Sequence, residues 1–199
     1  IKQEIVNHYG LSTLDFYIQI NNVDICFSYV EYITSKYDYI NLKAQHSDVE
    51  TYIKESKEKE LKQKEEKERK SIEKQINTAG IYFNKGDYDK ALNVSKSALI
   101  RSFKINDEYL IAHSYNAIGV IYDEFSEPKH AISFYNKALK HASTIENDSL
   151  KDWIYSNLGS TYYFSKVDVQ KGIEYYKTSL KYATKINDSI QITYTKLNI

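Results

Sequence analysis

The sequence predicts an all-α protein made of stacked helix pairs, and two observations support this fold class. First, the segment from Ser71 to Ile199 repeats itself at a spacing of about 40 residues, a period typical of helical solenoids in which each repeat buries its apolar face against its neighbours. Second, apolar and aromatic residues recur within each repeat at intervals of three and four, which indicates amphipathic helices. The chain is therefore built to present a surface.

Each repeat has the same arrangement of small and aromatic residues. The aligned segments begin at Asn77, Tyr115 and Tyr155. Each carries a glycine, an aromatic residue three positions later, a very small residue further on and a final small residue followed by leucine. These positions are, in order, Gly80, Phe83, Ala91 and Ala98-Leu99; Gly119, Tyr122, Ala131 and Ala138-Leu139; and Gly159, Tyr162, Gly172 and Ser179-Leu180. Short polar turns containing Gly86 or Pro128 separate the two helices, whose small residues let them approach closely.

This pattern resembles the tetratricopeptide repeat family, in a longer form similar to the repeats of bacterial sensor and transcription-regulator proteins. The second repeat carries the pattern best, at Tyr115, Gly119, Tyr122, Ala131, Tyr135 and Ala138. In the first repeat Gly80 lies one place late relative to the turn, and Ser95 replaces the usual second aromatic residue. The third repeat has one extra residue in its turn. The resemblance implies a right-handed α-solenoid with repeats at about 72–108, 109–148 and 149–188 and the start of a fourth at 189–199.

Two segments precede the repeats. Residues 1–47 are predicted to be helical: apolar residues spaced by three and four between Val23 and Ile40 indicate an amphipathic helix, and a shorter helix is expected from Ser12 to Ile20. This segment is either a worn-down repeat or a separate helical hairpin.

Residues 48–71 are rich in lysine and glutamate and poor in apolar side chains. Glutamates precede lysines by four positions, as in Glu55 and Lys59, and each such pair stabilises a helix by about 0.2–0.5 kcal/mol. The apolar residues are too few for the seam of a long coiled coil. We therefore predict a solvated linker helix that runs into the first repeat.

Composition excludes several classes of function. Basic and acidic residues both number 27, so no basic field favours nucleic-acid binding. No apolar run approaches the roughly 18 residues of a membrane span. The single cysteine, Cys26, excludes an internal disulfide and is expected to be a buried structural thiol. One cysteine does not separate a cytoplasmic from a cysteine-poor periplasmic protein, so the compartment stays open, with the cytoplasm slightly favoured.

The motifs of catalysis are not found. The five histidines follow no metal-ligand spacing, and the chain has neither a glycine-rich phosphate loop nor a Gly-x-Ser-x-Gly motif. We therefore expect no enzymatic activity, no cofactor and no metal. The chain also contains no methionine, and its final TYTKLNI aligns with the beginning of a repeat, so a fragment of a longer protein is expected.

The resemblance implies that the first helix of each pair lines a concave groove. It assigns to that groove His113, Asn116, Val120, Asp123 and Glu124 from the second repeat and Trp153, Ser156, Ser160, Tyr163 and Phe164 from the third. Asn116 can hydrogen-bond a peptide backbone. Trp153 either supplies contact area to a ligand or packs between repeats.

The basic clamp by which chaperone-binding tetratricopeptide domains hold a terminal carboxylate is absent. The corresponding positions are Ile76, Asn116, Ser156 and Asn157. The predicted function is a non-enzymatic domain that binds a protein or peptide, as the sensory or scaffolding part of a bacterial regulatory protein. The alternative is a structural module whose helices mediate self-association into a homo-oligomer.

Overall fold

The computed structural model describes residues 14–20, 23–29 and 38–199, with side chains from Lys54 onward apart from Ser56. The chain divides into two compact parts, residues 1–59 and 60–199. The elements follow in the order β1 (Leu14–Ile20), β2 (Val23–Tyr29), α1 (Asp38–Asn84), α2 (Tyr88–Lys104), α3 (Glu108–Glu124), α4 (Pro128–Ala142), α5 (Asp148–Phe164), α6 (Val169–Lys185) and α7 (Ser189–Leu197).

The prediction of two helices between Ser12 and Ile40 was wrong over β1 and β2. These strands pair antiparallel in a register that joins Leu14 to Tyr29 and Ile20 to Val23. In the sequence, apolar residues alternate along Leu14–Ile20, and only two residues separate the strands, a spacing typical of a β-hairpin. The predicted helix over residues 30–37 and the predicted burial of Cys26 lie outside what the structure describes.

The predicted charged helix is confirmed as part of α1, which is one continuous helix of 47 residues. Pairs in the i,i+4 arrangement occur along it, with 3.2 Å between Lys70 Nζ and Glu66 Oε1 and 2.9 Å between Arg69 Nη1 and Glu73 Oε1. From Ile72 onward one face of the helix becomes buried. The C-terminal part of α1 therefore serves as the first helix of repeat 1.

The predicted all-α solenoid is confirmed over the repeats. The end of α1 pairs with α2 in repeat 1, α3 pairs with α4 in repeat 2, α5 pairs with α6 in repeat 3, and α7 follows as a single helix. The second helices bury small residues one turn or two apart, such as Ala131 and Ala138. Large side chains fill the space between the paired helices. Among the described residues, the two largest fully buried side chains are Tyr135 and Tyr176.

The turns have a local chemical cause. Within the repeats, the first helix is followed two positions later by a residue of positive φ, which is Gly86, Ser126 or Lys166. Between repeats, Asn106 adopts a positive φ of 53° and Asp107 then caps α3 by accepting from the backbone N–H of Leu110. Side-chain caps of this kind stabilise a helix by about 1 kcal/mol. The recurring Asn-Asp pairs are therefore the corners of the solenoid.

In repeat 1 the glycine lies one position later than the glycine of repeat 2 when the two repeats are aligned by their turns. The carbonyl of Tyr82 accepts from Asp87 N–H, as the carbonyl of Tyr122 accepts from Glu127 N–H. Tyr82 is thus the equivalent of Tyr122. The close-packing position three residues earlier is held by buried Ala79, whereas Gly80 is exposed.

Candidate functional site

The first helices of the three repeats form one surface, called here the first-helix face. Two hollows lie on it. One of about 600 Å³ is lined by α3, α4 and α5, including Val120, Asp123 and Ser160. The other, of about 350 Å³, is lined by α1, α2 and α3, including His113 and Asn116. Because Val120 lines both, the two hollows adjoin along α3.

A polar network forms the floor of the larger hollow. The Asp123 carboxylate accepts hydrogen bonds from the Tyr135 hydroxyl and the Thr161 hydroxyl, each at 2.7 Å. Burial raises the pKa of Asp123 and outweighs these two bonds, which act in the opposite direction. Burial and the neighbouring Asp123 charge also raise the pKa of Tyr135, so this phenol stays protonated and remains a donor.

An amide pair links the two repeats. Asn157 Nδ2 donates to Asn116 Oδ1 at 2.9 Å, across 41 positions of sequence. The Asn116 carbonyl oxygen is therefore occupied, while its Nδ2 has no partner among the hydrogen bonds of the described residues. An amide nitrogen in this position can donate to a peptide carbonyl.

Aromatic side chains border the surface at the level of α5. The rings of His113 and Trp153 lie 6.0 Å apart between centroids, at an angle of 45°. Trp153 remains 45% exposed, so it contacts the neighbouring repeat and also leaves a face to solvent. Burial lowers the pKa of His113, which keeps its imidazole neutral near pH 7.

Hydroxyls of repeat 3 and of α7 form a second polar group. Ser160 Oγ lies 2.8 Å from the Tyr176 hydroxyl and 3.3 Å from the Tyr194 hydroxyl. Burial raises the pKa of Tyr176 to about 12. Tyr163 packs against Phe164 and Tyr176, with ring centroids 5.2 Å and 6.4 Å away.

The structure brings together most of the side chains that the sequence assigned to the groove, but not all. His113, Asn116 and Val120 line the smaller hollow, and Val120, Asp123, Glu124, Ser160 and Phe164 line the larger one. Trp153, Ser156 and Tyr163 line neither hollow, and Ser156 is buried. The role of these side chains in binding stays a prediction.

Sequence reasoning missed several residues that shape the face. Thr161 and Asn157 complete the polar floor, and Tyr88 donates from its hydroxyl to Glu124 at 3.3 Å. Ser95 was noted only as a replacement of an aromatic residue, yet it lines the smaller hollow. The repeat alignment had already matched Ser95 to Tyr135, and the loss of that ring was the signal for a hollow.

Two other kinds of functional feature are a metal site and a membrane-spanning helix. Within the part of the chain that the structure describes, no three His, Cys, Asp or Glu side chains are grouped as a metal ion would require. None of the described helices combines the length and the apolar character needed to cross a membrane.

The stacked helix pairs, whose first helices form one continuous face, define the class of the protein as an α-solenoid. Residues 72–144 match the family model described as tetratricopeptide repeat. Residues 72–144 are therefore similar to tetratricopeptide repeats, and repeats of this kind support a protein–protein interaction or scaffold domain. Repeats of this family are typically non-catalytic.

Two solved structures resemble the fold. The tetratricopeptide domain of Arabidopsis FLU aligns over 61% of this chain and 99% of its own, with 16% identity and a TM-score of 0.53. BtubC (BKLC) from P. vanneervenii aligns over 64% of this chain and 53% of its own, with 21% identity and a TM-score of 0.56. At these identities the likeness concerns the fold alone.

Proposed function

We propose that the repeats bind a segment of a protein partner along the first-helix face, without catalysis, as the sensory or scaffolding part of a bacterial regulatory protein. The observation that carries this proposal is the pair of adjoining hollows along α3. Together they form one continuous concave surface along which a peptide could bind. Ligand sites are typically concave, with a few polar groups among apolar ones. The regulatory role rests on the resemblance of the longer repeats.

The charges on the face define what the partner offers. Around the smaller hollow His113 is neutral and Asn116 is uncharged, whereas the larger hollow presents Asp123 and exposed Glu124. An extended segment with neutral side chains at one end and a lysine or arginine at the other would be complementary to this distribution. Asn116 Nδ2 would donate to a backbone carbonyl between them.

The proposal is tested by capture followed by a direct binding measurement. The chain, immobilised, is used to capture partners from a bacterial lysate, and synthetic peptides from each partner are then titrated in solution. We expect Asn116→Ala combined with Trp153→Ala to weaken peptide binding by roughly 30-fold or more. The double variant removes an amide that lines the smaller hollow and an aromatic side chain that borders the face.

The matched control is Asn136→Ala combined with Ile100→Ala. Both residues are exposed and lie on second helices, so this variant should bind as the parent does. Circular dichroism checks that both variants are folded. If both bind equally well, the first-helix face is not the site. An oligomer that dissociates on dilution, with no peptide bound, would instead favour the self-association module.

A further inference from the structure

The smaller hollow is lined by Ser95, the residue at the position where the other repeats carry a tyrosine. Tyr135 in α4 and Tyr176 in α6 are buried against glycines of the first helix, since a Cβ added at Gly119 would lie 2.5 Å from the Tyr135 ring and one at Gly159 would lie 2.8 Å from the Tyr176 ring. The equivalent residue in α2 is Ser95, which has no ring. Repeat 1 thus lacks the side chain that closes repeats 2 and 3.

Ser95 leaves a polar group without a partner in this hollow. Its side chain is fully buried, and its Oγ has no hydrogen-bond partner within the described residues. Buried hydroxyls are normally paired, and an unpaired one destabilises the fold. Ser95 lines the hollow together with apolar Ile76, Ala79 and Ile121, so a ligand that displaces these side chains enough to reach the buried hydroxyl could supply the missing partner.

The lining also selects the charge of a ligand. None of the side chains around the smaller hollow is aspartate, glutamate, lysine or arginine. Its one ionisable group is the imidazole of His113, whose pKa is lowered by burial. A charged group would lose its hydration here without gaining an opposite charge. An uncharged ring with one hydrogen-bonding group meets both the apolar walls and the free hydroxyl.

We propose that the hollow beside Ser95 is a binding site for a neutral phenol ring, supplied by a tyrosine side chain of the partner segment. The bound ring enters the space that Tyr135 and Tyr176 fill in their repeats, shifted outward because the Ala79 methyl occupies part of it. Its hydroxyl pairs with Ser95 Oγ or Asn116 Nδ2. This inference rests on the proposed function and names the side chain that it recognises.

The probe for the test is p-cresol, the side chain of tyrosine, titrated into the isotopically labelled chain and followed by amide chemical shifts. We expect shifts at Ser95, His113 and Asn116, and weaker binding of toluene, which has the ring without the hydroxyl. Ser95→Ala should weaken p-cresol binding by roughly three- to tenfold, the worth of one hydrogen bond. Ser114→Ala is the matched control, because Ser114 Oγ is also buried and unpaired but does not line the hollow.

A second variant fills the site. Ala79→Gly with Ser95→Tyr rebuilds in repeat 1 the glycine–tyrosine pair of repeat 2, and it should abolish p-cresol binding while raising the midpoint of thermal unfolding. Absence of shifts up to the solubility limit, or equal binding of p-cresol by parent and filled variant, would overturn the inference. If p-cresol and toluene bind alike and Ser95→Ala changes neither, recognition of a phenol is overturned. Partner peptides that bind the face regardless of these results would leave the proposed function in place.

Discussion

Repeats 1 and 2 have the same backbone plan but differ at the point where their two helices meet. In repeat 2, Gly119 lets the Tyr135 ring lie against α3, and the ring's hydroxyl reaches Asp123. In repeat 1, Ala79 and Ser95 take those two places, and a hollow of about 350 Å³ remains. The two junctions therefore differ by one pair of residues. Repeat 2 has a buried ring between its helices, which stabilises it, whereas repeat 1 has no ring there and borders a hollow.

The difference teaches that an array can vary its surface without changing its helices. Each repeat is stabilised mainly by contacts within itself and with its neighbours. A repeat that lacks one internal contact can be supported by an adjoining repeat that retains it. In this chain the tightly packed repeats 2 and 3 stand beside the open repeat 1, and the first-helix face runs over them.

The largest effect on the free energy of unfolding is expected from removing the ring that fills the junction of repeat 2. Tyr135→Ala removes a fully buried ring and should lower the free energy of unfolding by about 3–5 kcal/mol, measured by urea denaturation. Ser95→Ala, at the equivalent position of repeat 1, should change it by less than about 1 kcal/mol, because it removes an unpaired hydroxyl and no packed ring. Similar losses in the two variants would show that repeat 1 is closed as repeat 2 is.

A smaller effect is expected from adding one methyl group to a first helix. Gly119→Ala would place Cβ 2.5 Å from the buried Tyr135 ring, and such overpacking lowers the free energy of unfolding by about 1–3 kcal/mol. Gly80→Ala meets no atom within 4 Å and should raise it by about 0.5–1 kcal/mol, since alanine favours the helix over glycine. Urea denaturation of both variants measures the contrast in sign. A stabilising Gly119→Ala would contradict the close contact.

The sequence was sufficient to predict the repeat helices and their turns, because short-range spacing determines both. Residues such as Pro128 at the start of α4 and Asp107 before α3 act within a few positions of themselves. The hairpin of β1 and β2 was missed because apolar residues at Val23, Cys26 and Phe27 also satisfy a helical spacing. Alternation along β1 was the competing signal.

The site was predictable only in outline. The assignment of Asn116 and Asp123 to the first-helix face followed from the repeat pattern. Their partners did not, because Asn157 and Thr161 lie 41 and 38 positions further along the chain. Such contacts depend on how one repeat stacks on the next, which spacing within a repeat leaves undetermined. The one-residue offset of Gly80, by contrast, was predicted from the sequence, and the hydrogen bonds of the turn agree with it.

The smallest effect concerns a polar residue that distinguishes repeat 3 from repeat 2. Asp152 replaces the alanine found at Ala112; it is fully buried, and its Oδ1 accepts from the Ser179 hydroxyl at 2.5 Å while Oδ2 has no partner among the described residues. Burial raises the pKa of Asp152, and the nearby Asp188 charge acts in the same direction. The folded state therefore holds a proton at pH values where the unfolded chain has released it.

Stability should accordingly fall as pH rises from the ordinary aspartate value of about 3.9 through the raised pKa of Asp152, because the unfolded state binds fewer protons in that window. Asp152→Asn cannot ionise, so its free energy of unfolding should fall less over the same window, as measured by urea denaturation at a series of pH values. Glu174→Gln, which removes an exposed carboxyl of the same repeat, should follow the parent. If the curves of the parent and of Asp152→Asn run parallel, the pKa of the buried carboxyl is not raised. Ionisation of Asp152 would then not destabilise repeat 3.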